Sequence, residues 1–183
     1  MDNIIVVHGS FGSAEGNWFP WLIKALPGRA VIVPQFAVGV GIQTYESWER
    51  LLDYYNGLGL ITKDTTLIGH SIGAVFICKY ILKHKIKVDK CIFVAGFNQV
   101  KMNDKDYDAV NESFFIDYKE LPKIKNFANK IVCIYGDNDQ YIPQNELKKF
   151  AGTVAQEVLI IKDGGHLNAE SGYYALPQLL RYL

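Results

Sequence analysis

Six short apolar runs recur along the chain, separated by longer segments in which polar and apolar residues mix. The runs are residues 4–7, 30–33, 66–68, 91–95, 131–135 and 158–161. A continuous apolar run of this length is typical of a strand that is buried on both faces of a parallel sheet. We therefore expect six buried strands.

The segments between the runs carry apolar residues at helical spacing, and they are residues 18–26, 44–55, 72–82, 143–150 and 169–183. Pro143 suits the first turn of its helix, where a missing N–H costs nothing, whereas Pro177 should kink or split the last one. Strands alternating with helices predict the α/β class. We expect a doubly wound, mainly parallel six-stranded sheet with helices on both faces.

One connection interrupts this rhythm. Residues 97–129 separate the fourth and fifth runs by about twice the length of the other connections and begin with a polar stretch. Ligands of open α/β sheets bind at the carboxyl ends of the strands. This connection is therefore the segment that we expect to be mobile over a site.

Composition and charge exclude several classes of protein. With 183 residues and 49% hydrophobic residues, the chain fits one domain over residues 1–183. The 19 basic residues balance the 19 acidic ones, which argues against nucleic-acid or membrane-surface binding. The apolar runs fall far short of the roughly 20 residues of a membrane span. No signal peptide precedes the first run, so we expect a cytoplasmic protein.

The three cysteines predict neither a disulfide framework nor a metal site. Cys78, Cys91 and Cys133 are odd in number, far apart, and each lies within an apolar stretch. We expect them to be small core residues, and we expect no metal.

The third apolar run is followed by residues 69–73, Gly-His-Ser-Ile-Gly, a G-x-S-x-G pattern between a strand and a helix. A serine on such a strained turn projects its hydroxyl outward, and glycine is needed two positions before and after it to avoid clashes. The pattern predicts Ser71 as a nucleophile. The N–H of Ile72 opens the next helix and is a candidate oxyanion donor.

A serine nucleophile needs a base, and the chain has four histidines. His8 and His70 directly precede turns and are interpreted as packed, hydrogen-bonded residues, and His84 lies among lysines as a surface residue. His166 follows the last strand on a glycine-containing loop, in the chain order Ser…Asp…His. We expect His166 to be the base.

The acid that orients this base should follow the fifth strand, where Asp137 and Asp139 both stand. Alternatively, both are turn residues that cap the helix at Pro143. Asp163, three residues before His166, is a third candidate. The residues alone leave this choice open.

The first strand runs into residues 9–12, Gly-Ser-Phe-Gly. Such a loop can turn the N–H of Ser10 or Phe11 toward a substrate carbonyl as a second oxyanion donor, although an ordinary turn is the alternative. The loop lacks the G-x-G-x-x-G spacing, and no Lys-Ser or Lys-Thr pair follows it. We therefore exclude nucleotide binding.

Taken together, these motifs resemble an α/β hydrolase. The overall pattern is similar to the small serine hydrolases that include retinoblastoma-binding protein nine and the bacterial YdeN-like proteins, over nearly the whole chain. The segments that carry the resemblance are residues 8–9, 17–22, 69–73, 136–143 and 165–168. In that family the acid is the fourth residue of a G-x-x-D-x-x-x-P stretch, which here is Asp139. The resemblance implies a triad of Ser71, Asp139 and His166 that needs no metal or organic cofactor.

This resemblance implies a serine carboxylesterase, or a related acyl hydrolase, that acts through an acyl-enzyme on Ser71. Its partner would be a small-molecule acyl substrate. An apolar pocket for the acyl group could be lined by aromatic residues near strand ends and in the long connection: Phe11, Trp18, Phe97, Phe114, Phe115 and Tyr141.

The alternative is a protein-interaction or ligand-binding protein on a hydrolase scaffold with little or no turnover, since one fold hosts unrelated functions. A protein partner is possible, but the sequence does not indicate one. The intact order of Ser71, Asp139 and His166 favours the enzyme.

The length of the chain adds an expectation about architecture. The first strand begins at Asn3, which leaves no residues for the antiparallel hairpin that opens larger α/β hydrolases. Residues 97–129 are likewise too few for a full lid domain. We expect a trimmed hydrolase fold with an open site.

Overall fold

The apolar runs form the strands of one sheet in the computed structural model, which describes residues 2–101 and 103–183. All neighbouring strands are parallel, and their order is β2-β1-β3-β4-β5-β6. This confirms the predicted six-stranded parallel sheet. The strands are β1 (Ile4–Val7), β2 (Val31–Ile32), β3 (Thr66–His70), β4 (Val88–Val94), β5 (Ala128–Gly136) and β6 (Glu157–Ile161).

Helices cover both faces of the sheet, as predicted. The helices are α1 (Phe19–Ala25), α2 (Tyr45–Gly57), α3 (Ile72–His84), α4 (Lys105–Asn111) and α5 (Gln144–Val154). Successive residues of a strand point to opposite faces. In β1, Ile5 and Val7 join a core with α2, α3 and α5, whereas Ile4 and Val6 join a core with α1.

Helix α3 is the most deeply buried helix, and it carries the serine motif at its beginning. Nine of its residues are buried, from Ile72 to Ile81. The helix ends at Lys85, which adopts a left-handed conformation. A helix anchored in this way gives the residue before it, Ser71, a fixed position.

The two outer strands are less buried than the apolar runs predicted. Both residues of β2 are only partly buried, and β6 alternates between partly buried and exposed residues. Val158 and Ile160 are 44% and 50% exposed. An outer strand has a neighbour on one side only, so the expectation that all six strands are buried on both faces is wrong for these two.

The helix predicted over residues 169–183 is also wrong. Two short 3-10 helices, Ala169–Ser171 and Pro177–Tyr182, take its place. Gly172 ends the first in a left-handed conformation with φ 84°, and Pro177, which lacks an N–H donor, begins the second. Leu179 and Tyr182 nevertheless pack on the α1 face of the sheet, so the apolar spacing marked burial correctly.

The long connection forms α4 and two 3-10 helices, Glu112–Phe114 and Leu121–Asn126. Phe114, Leu121 and Ile124 are buried in the same core as α3 and α5. Within residues 97–101 and 103–129, the connection is therefore part of the fold and builds no separate lid domain. The described parts of the chain contain no helix with the length and apolar character needed to cross a membrane.

Candidate active site

The predicted motifs meet at the carboxyl ends of β1 and β3. The strand order reverses between these two neighbours, because β2 lies beyond β1 and β4 lies beyond β3. Such a switch point leaves a crevice between the loops that leave the two strands. A cavity of about 510 Å³ opens here, and its lining includes Gly9, Ser10, Ser71 and His166.

Ser71 occupies a strained turn between β3 and α3, with φ 57° and ψ −126°. A Cβ at Gly69 would lie 2.6 Å from the backbone N of Ala74, and a Cβ at Gly73 would lie 2.6 Å from the carbonyl oxygen of Val7. Backbone atoms at such distances cannot move aside cheaply. Both glycines are therefore required for the close packing of this turn.

Three predicted residues form one hydrogen-bonded chain. The Ser71 hydroxyl lies 3.0 Å from Nε2 of His166, and Nδ1 of His166 lies 2.6 Å from a carboxylate oxygen of Asp139. With Nδ1–H donating to the carboxylate, Nε2 is left as the acceptor of the hydroxyl proton. The structure thus brings Ser71, His166 and Asp139 together in the geometry of a serine nucleophile, a base and an orienting acid.

Asp139 is held by its second carboxylate oxygen. Oδ1 accepts the N–H groups of Tyr141 and Ile142 at 2.8 and 3.0 Å, which leaves Oδ2 for His166. The other two candidates have different contacts, because Asp137 accepts the backbone N–H of Asp163 at 2.7 Å. Of the three aspartates, Asp139 is the one whose carboxylate is hydrogen-bonded to His166 in the described part of the chain.

The loop that carries His166 is fixed by hydrogen bonds to the backbone of residues 165–167. The hydroxyl of Ser171 accepts the His166 N–H at 3.1 Å, and Asn138 accepts the N–H of Gly165 at 2.7 Å. At the next position, the carbonyl oxygen of Leu167 accepts the buried indole N–H of Trp18 at 3.1 Å. The imidazole of His166 is therefore held within hydrogen-bonding distance of Ser71.

Two further histidines lie beneath the site, where burial disfavours the charged form of both rings. Burial lowers the pKa of His70 to about 3, and its Nε2 donates to the carbonyl oxygen of His166 at 3.1 Å. Burial likewise lowers the pKa of His8, whose Nδ1 donates to the Gly9 carbonyl while Nε2 accepts the Phe36 N–H. These contacts match the packed, hydrogen-bonded role expected from the sequence.

The three candidate oxyanion donors differ in the hydrogen bonds that their N–H groups already make. The N–H of Ile72 begins α3, where the first residues have no acceptor within the helix. The N–H of Ser10 makes no hydrogen bond in the described part of the chain, whereas the Phe11 N–H donates to the side chain of Gln43 at 3.0 Å. The expectation for Phe11 is therefore corrected, because its N–H already donates to Gln43, and the oxyanion roles of Ser10 and Ile72 stay predictions.

Comparison with known families agrees with this geometry, because the model of the serine hydrolase family matches residues 4–183. The chain belongs to the serine hydrolase family. A comparison with curated proteins finds no match.

Solved structures similar to this serine hydrolase share its fold. The ydeN gene product of Bacillus subtilis is 23% identical, with a TM-score of 0.84, over 100% of this chain and 96% of that one. A YdeN-like hydrolase from Pectobacterium atrosepticum is 20% identical, with a TM-score of 0.66, over 99% and 88%. The carboxylesterase CesB of B. subtilis is 14% identical, with a TM-score of 0.65, over 98% and 81%.

Most of the aromatic residues predicted to line an acyl pocket do not line the cavity. Trp18, Phe97 and Phe114 are fully buried in the two cores and line no part of the cavity. Phe115 packs on the core and lies beside a separate surface depression. Tyr141 does line the cavity, as does Phe11. Large aromatic side chains fill cores as readily as pockets, so their position near strand ends did not distinguish the two.

Other cavity residues were not predicted. Tyr107 lines the cavity from α4, and Asp104 lines it from the position before this helix. Glu170 lines it from the segment after His166. Behind the cavity, the buried Asn111 accepts a hydrogen bond from the Ser10 hydroxyl. Polar residues in the long connection were the available signal, but their approach to Ser10 depends on the tertiary fold.

Proposed function

We propose that this serine hydrolase cleaves a carboxylic ester of a small substrate through an acyl-enzyme on Ser71. The observation that supports the proposal best is the hydrogen-bonded chain from Asp139 through His166 to Ser71, at a strained turn that faces a cavity. The two steps of the proposed reaction follow from general acid–base chemistry.

In the first step, the Ser71 oxygen attacks the ester carbonyl carbon while Nε2 of His166 takes the hydroxyl proton. The carboxylate of Asp139 stabilises the imidazolium that forms. The carbonyl oxygen becomes an oxyanion, which the N–H groups of Ile72 and Ser10 stabilise by hydrogen bonds. His166 then gives its proton to the leaving alcohol, and an acyl group remains on Ser71.

In the second step, a water molecule takes the place of the alcohol. His166 removes a proton from this water as it attacks the acyl carbon, and the same oxyanion donors act again. Collapse of the intermediate returns the proton to Ser71 and releases the carboxylic acid. Apart from the substrate and this water, the proposed cycle uses only residues of the chain and requires no cofactor.

The size of the cavity supports a small substrate. A volume of about 510 Å³ lies within the range of roughly 300–1,000 Å³ that is usual for small-molecule sites. A structure with this fold, CesB, is described as a carboxylesterase, so the scaffold is compatible with ester hydrolysis. We therefore prefer an ester of a small acid and alcohol.

A fluorophosphonate probe tests this proposal, because it reacts covalently with activated serines. We expect the folded protein to be labelled on Ser71 and to hydrolyse 4-nitrophenyl butyrate. Ser71→Ala should abolish both, and His166→Ala should slow both by about a thousandfold or more. Peptide mass mapping locates the label.

Two control variants lie outside the cavity lining. Ser13 is exposed, and among the described residues its hydroxyl binds only the neighbouring Glu15 N–H; His84 pairs with Glu49. Ser13→Ala and His84→Ala should be labelled at the wild-type rate. Wild-type protein that resists the probe, or His166→Ala that labels as fast as wild type, contradicts the esterase and favours a binding protein on this scaffold.

A further inference from the structure

The lining of the active-site cavity is acidic. Asp104 and Glu170 both line it, and no Lys or Arg does so among the described residues. This contrasts with the chain as a whole, in which 19 basic residues balance 19 acidic ones. The cavity therefore carries a local negative charge that the overall composition does not show.

Neutral donors, not cations, satisfy these two carboxylates. Asp104 accepts the backbone N–H groups of Asp106 and Tyr107 at 3.0 and 3.1 Å, and the hydroxyl of Tyr141 donates to Glu170. In the described part of the chain, neither carboxylate forms an ion pair. Their charges remain available to a ligand.

Both carboxylates act on one point in the cavity. Burial raises the pKa of Tyr107, and the negative charges of Glu170 and Asp104 raise this pKa further. Tyr107 is itself part of the cavity lining. The negative potential of both carboxylates thus extends to the Tyr107 hydroxyl group.

Aromatic rings surround the same space. The edge of one ring meets the face of the other where Phe11 contacts Tyr107, with centroids 5.0 Å apart, and Tyr141 contacts His166 at 5.2 Å. Phe11 and Tyr141 are 39% and 42% exposed, so parts of their rings are open to a ligand. Aromatic faces attract cations, and the attraction is stronger when the cation is desolvated.

The floor of the cavity adds an unused hydrogen-bond acceptor. His70 lines the cavity, and its Nδ1 is fully buried with no partner in the described residues. Since Nε2–H donates to the His166 carbonyl, Nδ1 of the neutral ring can only accept. A Cβ at Gly9 would lie 3.3 Å from this atom and 3.4 Å from the Ser71 hydroxyl oxygen, so both atoms lie beside Gly9.

We propose that the cavity selects esters that carry an alkylammonium group, which Asp104 and Glu170 attract and the rings of Phe11, Tyr107 and Tyr141 enclose. This inference rests on the proposed function, because it names the substrate class of the same site. Surface carboxylates each contribute a modest attraction, so we expect two- to fivefold from each and about tenfold in total preference.

Two pairs of esters test the preference, and each pair differs in charge with little change in shape. Butyrylcholine against 3,3-dimethylbutyl butyrate places the charge on the alcohol, and methyl 4-aminobutyrate against methyl pentanoate places it on the acid. In at least one pair, we expect the kcat/KM of the charged ester to be about tenfold higher than that of the neutral ester. The gain should appear mainly in KM, because attraction to a remote charge acts on substrate and transition state alike.

Substitutions of the two carboxylates should reduce this ratio. Glu170→Gln and Asp104→Asn each remove a charge, and Asn retains the capping oxygen at the start of α4. We expect each to lower the charged-to-neutral ratio by two- to fivefold. Glu120→Gln is the matched control, since Glu120 is exposed, pairs with Lys123 and lies outside the cavity lining. Raising the salt concentration should lower the wild-type ratio as well.

A binding measurement separates this inference from the proposed function. Calorimetric titration of Ser71→Ala with n-butyltrimethylammonium chloride should show millimolar affinity that weakens in the double variant with Glu170→Gln. Equal kcat/KM within both ester pairs overturns the inference but leaves the hydrolase intact. If no ester is cleaved, the proposed function fails, and the titration alone then decides: absence of binding overturns the preference for a cation, and binding supports it.

Discussion

Replacement of Asp139 by asparagine should remove most of the activity through a change in the tautomer of His166. Oδ1 of Asp139 accepts two backbone N–H groups, so the oxygen of an asparagine must take that position. Its NH2 group then faces Nδ1 of His166 across the present 2.6 Å contact. Two donors repel, so the ring takes the tautomer with the proton on Nε2, which can no longer accept the proton of Ser71.

The size of this effect follows from the loss of the base. In serine proteases the same tautomer change lowers kcat by about 10⁴. That factor corresponds to about 5.5 kcal/mol in activation free energy. We expect Asp139→Asn to lower kcat by about 10³–10⁴, with a smaller change in KM, because the residue does not line the cavity.

Asp137→Asn is the matched comparison, because it makes the same change two positions earlier. An asparagine oxygen can still accept the Asp163 N–H, so kcat should stay within about threefold of wild type. Hydrolysis of 4-nitrophenyl butyrate gives kcat, and urea unfolding shows whether each variant is folded. If both variants lose activity equally, or Asp137→Asn loses more, the assignment of the orienting acid is refuted.

Three further predictions concern the surroundings of the site. Gly73→Ala would place a Cβ 2.6 Å from a backbone oxygen of β1 and should cost about 3 kcal/mol or more in urea unfolding, whereas Gly152→Ala meets no atom within 4 Å and should stabilise α5 by about 0.5–1 kcal/mol. Gln43→Leu leaves the partly buried Phe11 N–H without its side-chain acceptor, and we expect unfolding measurements to show a loss of about 1 kcal/mol together with a lower kcat. Because burial lowers the pKa of His70 to about 3, the unfolded chain binds more protons below pH 6.5, so stability should fall by about 2 kcal/mol between pH 7 and 5, and less in His70→Gln.

The strands and the serine turn could be predicted because their signals are local. Continuous apolar runs mark strands buried on both faces, and the Gly69 to Gly73 pattern fits only a strand–turn–helix. The acid was different, because Asp137 and Asp139 stand in the same turn. The resemblance to the family favoured Asp139, and the structure distinguishes the two by which carboxylate reaches His166.

The cavity walls could not be predicted, because they depend on contacts between distant segments. Tyr107 meets Phe11 across nearly a hundred positions, and no local pattern marks that contact. Trp18 shows the converse, since an aromatic residue near a strand end is buried and anchors the loop of the base through Leu167. The 3-10 helices near Pro177 were missed because apolar spacing reports burial and not the type of helix.

The parallel arrangement of all six strands has a consequence for how the chain folds. Ile4 of β1 pairs with Thr66 of β3, and Ser71 lies 95 positions before His166, so both contacts close long loops. Chains dominated by such distant contacts have a high contact order and fold slowly, in milliseconds to seconds. Since the hydrogen-bonded chain of Ser71, His166 and Asp139 needs β3, β5 and the loop after β6 together, recovery of Ser71 reactivity during refolding would report the last stage of assembly and not an early collapsed state.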